Sequence, residues 1–403
     1  MRVLIVTKTY PQGPEASGTG AMAQVIAEGL TQRGHEVVLL ASRRNSDGLY
    51  HGVRVRGRLI MDRPDPTKAP SEWGTGDKVA WIQKARHNYA TVRREIRRHK
   101  PDIVYLNDIE LLTGSVFAAC LDSGVRCIWH AHDYILHDMV ERKSRLSAAG
   151  GLRRLLAHLV HDKPKAAFVS TPVIAVSHFI AGRLMALGWP TELVTVVHNG
   201  LPAYFFGTGR RTPPPAENWP LLFVGRCVEE KGVGLLLQVL AKLRQQGIVL
   251  PLMIVGSFRS ERAAEQYLQE AERVGVREQI MLRGLIPREG LPAVYREAGC
   301  LLAPSQWEEP FGLMSVEAQA CGTPVVVSRV GGLPETLDDG KTGFVCASGD
   351  SDAMAERIAQ LYVDRDLWVR MSEGGKEFAK RSFASEEKID DIESILTRWV
   401  DET

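Results

Sequence analysis

Arg226 and Lys231 stand five positions apart, behind the apolar run 221–224 and the turn residue Gly225, where a helical pattern opens at Val233. A guanidinium and an ammonium so placed can converge on the non-bridging oxygens of a diphosphate, one as a planar fork and the other as a point charge. The same pair, beside Glu229 and Glu230, also reads as the solvated start of a helix. Glu309 and Glu317 lie eight positions apart. One precedes a helical pattern over 313–320 and the other lies inside it, so both can meet one ligand from different heights. Between them Pro310 and Gly312 turn the chain. The backbone N–H groups of Phe311, Gly312, Leu313 and Met314 open the helix, where donors without an intrahelical partner suit an anion or a hydroxyl. A Glu ahead of a helix also serves as a cap or dipole partner, and one within a helix is ordinarily solvated.

The first half offers two further sets. Gly18 and Gly20 lie between the apolar run 3–6 and a helical pattern over 21–33. With Ala23 they satisfy a loose dinucleotide spacing, which suggests an oxidoreductase. The glycines stand about a dozen residues past the strand, however, and the second strand ends in Arg43 and Arg44 with no acid for a ribose diol. Only an NADP form of that reading survives. His130 and His132 close another strand; the period of two puts them on one side and Asp133 on the other. Two histidines could hold a metal, but the sequence places no third ligand for it.

The elements that must position these residues alternate. Short β-rich runs at 3–6, 37–40, 53–56, 102–106, 125–129, 173–177 and 193–197 are separated by helical patterns. The stretch 201–220, rich in Pro and Gly, reads as an interdomain linker. The alternation then restarts at 221–224, 252–255, 279–282, 299–303, 325–328 and 344–346, and a last helix is expected over 385–400, with Ile389, Ile392, Ile395 and Leu396 as its apolar face. Two such runs predict two doubly wound α/β domains with a ligand cleft between them. A chain of 403 residues is long enough for two cores. Its 44% hydrophobic and 24% charged residues exclude a disordered chain, and a net charge of +2 argues against a dedicated nucleic-acid binder. Cys120, Cys127, Cys227, Cys300, Cys321 and Cys346 are scattered without a C-x-x-C pair and read as reduced core thiols of a cytosolic protein. The N-terminal apolar run is too short for a signal peptide, and no apolar run approaches a membrane span.

The stretch from Glu309 to Glu317 resembles the E-x7-E signature of retaining GT-B glycosyltransferases, in particular glycosyltransferase family 4. Gly225 to Gly232 resembles that family's G-R-x4-K-G element. The glycines at 18 and 20, with Arg33-Gly-His-Glu-Val37, resemble its amino-terminal pattern, with Ser17 replacing the first glycine of the common pair. His132-Asp133 is similar to its H-D element. Ser177, Asn199-Gly200 and Gly331-Gly332 match further landmarks, whereas Gly256 lacks the second glycine often found there. The regions 54–100 and 137–164 match least.

The resemblance implies an α/β GT-B fold: two doubly wound Rossmann-like domains facing a central cleft, over 1–200 and 221–384, with the linker 201–220 between them and a last helix, 385–403, packing back on the first domain. It implies a retaining, metal-independent glycosyltransferase that moves a sugar from a nucleotide-diphosphate sugar, a UDP-sugar being favoured, with no other cofactor. Arg226 and Lys231 would neutralise the leaving diphosphate. Glu317 would accept from ribose hydroxyls, and Glu309 with the 311–314 backbone would grip the sugar. His132 would touch the sugar from the opposite wall. Gly18, Gly20, Gly225, Ile286 (at the strand end that meets the base) and Pro310 complete the donor site. The D-x-D spellings at 350–352 and 364–366 fall in polar or helical sequence, where no metal is implied. The acceptor, a small molecule, a glycan or a lipid-linked group, is open. The basic stretch 84–100 (Lys84, Arg86, Arg93, Arg94, Arg97, Arg98 and Lys100) reads as a solvated helix face, or as a surface for a phosphorylated acceptor or for anionic lipid at the inner face of a membrane. A sugar-nucleotide epimerase or phosphorylase of the same fold, a non-catalytic nucleotide-sugar binder and the NADP-binding oxidoreductase stand as alternatives.

Overall fold

The computed structural model describes residues 1–10, 18–61, 74–109, 112–134, 136, 139, 163–207, 209 and 211–401. The chain forms two compact units, Met1–His198 with Glu386–Thr403, and Asn199–Ser385. In the first, strands β1 (Arg2–Thr7), β2 (Glu36–Ser42), β3 (Gly48–Tyr50), β4 (Val53–Leu59), β5 (Ile103–Asp108), β6 (Arg126–Ala131), β7 (Val173–Ala175) and β8 (Val194–Val196) build one sheet in the order β3-β4-β2-β1-β5-β6-β7-β8. All pairings are parallel except β3 with β4. Helices α1 (Gly18–Gln32), α2 (Thr75–His99), α3 (Ser115–Asp122), α4 (Lys165–Val169) and α5 (His178–Ala186) alternate with them.

In the second unit, β9 (Leu221–Val224), β10 (Leu252–Val255), β11 (Ile280–Gly284), β12 (Cys300–Ala303), β13 (Val325–Ser328) and β14 (Gly343–Cys346) form a wholly parallel sheet in the order β11-β10-β9-β12-β13-β14. Its helices are α6 (Val233–Gln245), α7 (Glu261–Arg273), α8 (Leu291–Glu297), α9 (Leu313–Ala320), α10 (Ser351–Val363) and α11 (Arg365–Phe383); α12 (Ser385–Asp401) returns to the first unit. Central strands of a parallel sheet are covered on both faces, and β5, β12 and β13 are accordingly buried at every position. The winding reverses between β1 and β5 in one sheet and between β9 and β12 in the other. The carboxyl ends of strands at such a reversal leave a crevice for a ligand.

Three expectations change. The stretch 201–220 is not a bare linker but part of the second unit, whose boundary falls after His198. Leu201, Phe205 and Trp219 are buried, and Arg211 donates to the Gly322 carbonyl and Thr323 Oγ1, both at 2.8 Å. Pro202 and Pro215 open 3-10 turns, the first of which ends at the buried Phe205. Helix α1 begins at Gly18 rather than Ala21, so Gly18 and Gly20 lie in its first turn and not in the preceding loop. Lys84 is buried with its ammonium 4.5 Å from the Trp81 ring, which removes it from the exposed basic face of α2. Helix α12 places Ile389, Ile392, Ile395 and Leu396 in one core with Ile5, Leu30, Leu39 and Ile128. All six cysteines are buried and free. No described helix is long and apolar enough to cross a membrane. Ser17, the loop 62–70 and Arg210 lie outside the described residues, as does most of 137–164.

Candidate active site

Strands β9 and β12 are neighbours, and the loops that leave them bring together the charges that the sequence separates. Arg226 follows β9 after Gly225; it is exposed and makes no ion pair with a described residue. Lys231 ends a short 3-10 turn over Glu229–Lys231. Gly232 comes next with φ +72°, and a Cβ there would stand 1.9 Å from the Pro304 carbonyl oxygen. Only glycine allows the Lys231 turn to press against the loop after β12. The Glu230 carbonyl also accepts from the Gln306 N–H at 2.9 Å.

This contact carries Lys231 Nζ to 2.5 Å from Glu309 Oε1 and 5.3 Å from the centre of the Trp307 ring. Ser305 Oγ donates to the same carboxylate oxygen at 2.6 Å. Glu309 is 3% exposed. A nearly dry carboxylate with two donors on one oxygen keeps acceptor capacity on the other. Pro310 is half-buried, and Phe311 packs its buried ring edge-on to Phe383 at 5.7 Å. Gly312 caps α9 at φ +110°, with Leu333 Cδ2 only 2.6 Å from where a Cβ would stand. Leu313 and Met314 form the first turn of α9.

Glu317 lies on that helix, about one and a half turns on from Gly312, and is buried. Tyr295 donates to its Oε2 at 2.8 Å, and Arg288 pairs with its Oε1 at 2.8 Å. Burial raises the Glu317 pKa above the usual range, while Arg288 and the Tyr295 hydroxyl act against that rise. Arg288 also lies over the Phe205 ring at 5.4 Å. Neither Arg288 nor Tyr295 was expected from the sequence. Nothing in their spacing marks them, because α8 meets α9 only through the fold. Ile286 is half-buried just past β11, the edge strand.

In the first unit a second polar chain forms at the other reversal point. Lys8, after β1, stands 3.1 Å from Asp108 Oδ2 at the end of β5, and Thr19 Oγ1 in the first turn of α1 donates to the same oxygen. Asn107 donates through Nδ2 to the Thr19 carbonyl at 3.1 Å, and His132 Nε2 donates to Asn107 Oδ1 at 3.0 Å. The His130 and His132 rings lie 3.8 Å apart, so they do share a side. His130 is buried against the Tyr105 hydroxyl through Nδ1. Burial, then the neighbouring His132, holds its pKa well below the usual value. Lys8, Asn107 and Asp108 were not singled out in the sequence. The strand-end position of Asn107 and Asp108 was the available signal.

The order of elements defines a protein of two α/β units, each with polar residues gathered where its sheet order reverses. Residues 17–200 match the family described as Glycosyl transferase 4-like domain, and residues 210–378 match Glycosyl transferases group 1. The chain belongs to this group-1, family-4-like set of GT-B glycosyltransferases. It is 28% identical over 387 residues to a glycogen synthase of Mycobacterium tuberculosis, across 90% of this chain and 86% of that one. It is 38% identical over 161 residues to a D-inositol 3-phosphate glycosyltransferase of Corynebacterium efficiens, across 39% of this chain and 38% of that one. Among solved structures it resembles Anabaena Alr3699/HepE in complex with UDP-glucose, with a TM-score of 0.72 and 20% identity over 99% of this chain and 100% of that one. It also resembles sucrose-phosphate synthase from Thermosynechococcus elongatus, with a TM-score of 0.74 and 19% identity over the full length of both. The oxidoreductase reading of Gly18 and Gly20 therefore falls.

Proposed function

We propose that this glycosyltransferase takes its sugar from a UDP-sugar and transfers it with retention at the anomeric carbon. The observation that carries the reading is the meeting of Lys231 and Glu309 at 2.5 Å, with Arg226 exposed earlier on the loop that carries Lys231. A diphosphate arriving there finds two cations, and the Glu309 carboxylate stands where the attached sugar offers hydroxyls. As the bond from the anomeric carbon to the diphosphate oxygen breaks, its electron pair leaves with the diphosphate, the acceptor oxygen bonds to the anomeric carbon on the same face, and the acceptor's proton passes to the departing diphosphate. Arg226 and Lys231 lower the barrier by stabilising that growing charge. Glu309 and the N–H groups at the start of α9 hold the sugar in register. Glu317, steadied by Tyr295 and Arg288, accepts from the ribose. Gly18, Gly20 and His132 serve the sugar and phosphate, and Ile286 and Gly225 border the base and diphosphate. The uracil base is favoured by the Anabaena structures, whose ligands are UDP and UDP-glucose.

The test is a thermal-shift panel of UDP, GDP, ADP and dTDP with their sugar conjugates, on wild type and on Lys231→Ala. A ligand that binds the folded state at a hundred times its Kd adds about 2.7 kcal/mol. A UDP-sugar that raises the wild-type midpoint and fails on Lys231→Ala supports the reading. A midpoint raised only by another base, or equally in both proteins, refutes it.

The acceptor is a small molecule, a glycan or a lipid-linked group. We place a lipid surface against α2, where Arg86, Arg94, Arg97 and Arg98 are exposed and Lys100 follows the helix end. Binding to anionic vesicles that is lost at high salt and weakened in Arg94→Glu/Arg98→Glu supports this contact; no binding at low salt refutes it.

A further inference from the structure

We propose that Asn107 is a positioning residue, which fixes His132 as the tautomer protonated on Nε2 and so turns Nδ1 into the ring's acceptor. The inference rests on the reading above, in which His132 serves the sugar. The Asn107 amide is 1% exposed and its orientation is set by chemistry. Its Nδ2 lies 3.1 Å from the Thr19 carbonyl oxygen, an atom that can only accept. Reversing the amide would put two carbonyl oxygens against one another. Oδ1 therefore faces His132, and the 3.0 Å contact requires a proton on Nε2.

A neutral imidazole with its proton on Nε2 has its lone pair on Nδ1. Nδ1 is itself buried, and any group that meets it must donate a hydrogen bond. The same amide joins this choice to the first turn of α1, because Thr19 is held in turn by Asp108 and Asp108 by Lys8. The stack of His130 on His132 restricts the ring plane, and His130 is itself fixed through Tyr105. Asn107 thus sets the proton while His130 sets the plane.

The experiment uses the full chain with 15N-labelled histidine, the His132 signals being assigned by their loss in His132→Gln. Wild type at neutral pH is expected to show protonated Nε2 and bare Nδ1. Asn107→Leu, which removes the acceptor, is expected to shift His132 toward the other tautomer. Asn107→Asp keeps an acceptor and is expected to restore the Nε2–H form. Release of UDP from UDP-glucose, or from the UDP-sugar the panel selects, should fall roughly tenfold in Asn107→Leu, the effect of one hydrogen bond, and recover in Asn107→Asp. A wild-type His132 protonated on Nδ1, or a tautomer unmoved by Asn107→Leu, overturns the positioning role. Undiminished UDP release in His132→Gln overturns instead the reading of His132 on which the role in transfer rests.

Discussion

Glu317 shows how a carboxylate is accommodated inside a protein. Its burial raises the pKa, and two groups that the ligand does not supply, Arg288 and Tyr295, work against that rise. The sign follows from linkage. An acid whose folded pKa lies above its unfolded value favours folding fully below the unfolded pKa, near 4.5, and this advantage is lost as pH rises through the folded pKa. Tyr295→Phe removes a donor to the ionised form and moves the folded pKa further up. Its cost in urea unfolding should therefore be larger at about pH 7.5 than at about pH 5, approaching about 2 kcal/mol, the range for a hydrogen bond to a charged group. An equal cost at both pH values would mean that Tyr295 contributes packing alone. Lys231 and Glu309 use another solution: the cation and the carboxylate neutralise each other at 2.5 Å.

Loops and helix ends, more than strands, carry the site, and they are also where the sequence is least explicit. The strands were legible because a strand covered on both faces must be apolar along its length, as 300–303 and 325–328 are. The short edge strand Gly48–Tyr50, exposed or half-exposed throughout, carries no such signal. Glu309, Glu317, Arg226 and Lys231 were legible because each set lies within one strand-to-helix turn. Arg288 and Tyr295, which meet Glu317, were not legible because only the fold brings them there, and Asn107 reaches His132 only through the parallel register that sets Leu106 beside Trp129. The start of α1 was misplaced because Gly18 and Gly20 are poor helix formers that the fold overrides. The close crossing at Gly232 is the element-scale test of this arrangement. Gly232→Ala must relieve a 1.9 Å approach to the Pro304 carbonyl and adopt φ +72°. Strain of this kind costs of order 1–3 kcal/mol, and relief of it separates Lys231 from Glu309. Donor binding should weaken more than the loss of stability alone explains, as read by the UDP-sugar thermal shift against the unliganded midpoint. An unchanged shift would show that the approach of the two loops does not set the site.

At the scale of the whole molecule, the chain leaves the first unit after His198 and returns at Glu386, so the last helix completes a core begun by the first strand. Two kinds of contact hold α12 there. Arg33 pairs with Asp390, whose side chain is 63% exposed, and with Glu393 at 3.3 Å, while His35 meets Glu393 at 2.7 Å. Against these stand Ile389, Ile392, Ile395 and Leu396, buried beside Leu30, Val37 and Ile128, and Gly29, whose missing Cβ admits Ile389 Cδ1. Exposed ion pairs contribute up to about 1 kcal/mol each, whereas removing a buried leucine side chain costs about 2–5 kcal/mol. The apolar face therefore decides. Leu396→Ala should lower the unfolding free energy of the first unit several times more than Asp390→Ala, with high salt narrowing only the latter effect. Urea titrations followed by hydrogen exchange in β1 and β2 separate the two. If Asp390→Ala proves the costlier, the charged latch and not the hydrophobic face ties the C-terminus into the first unit.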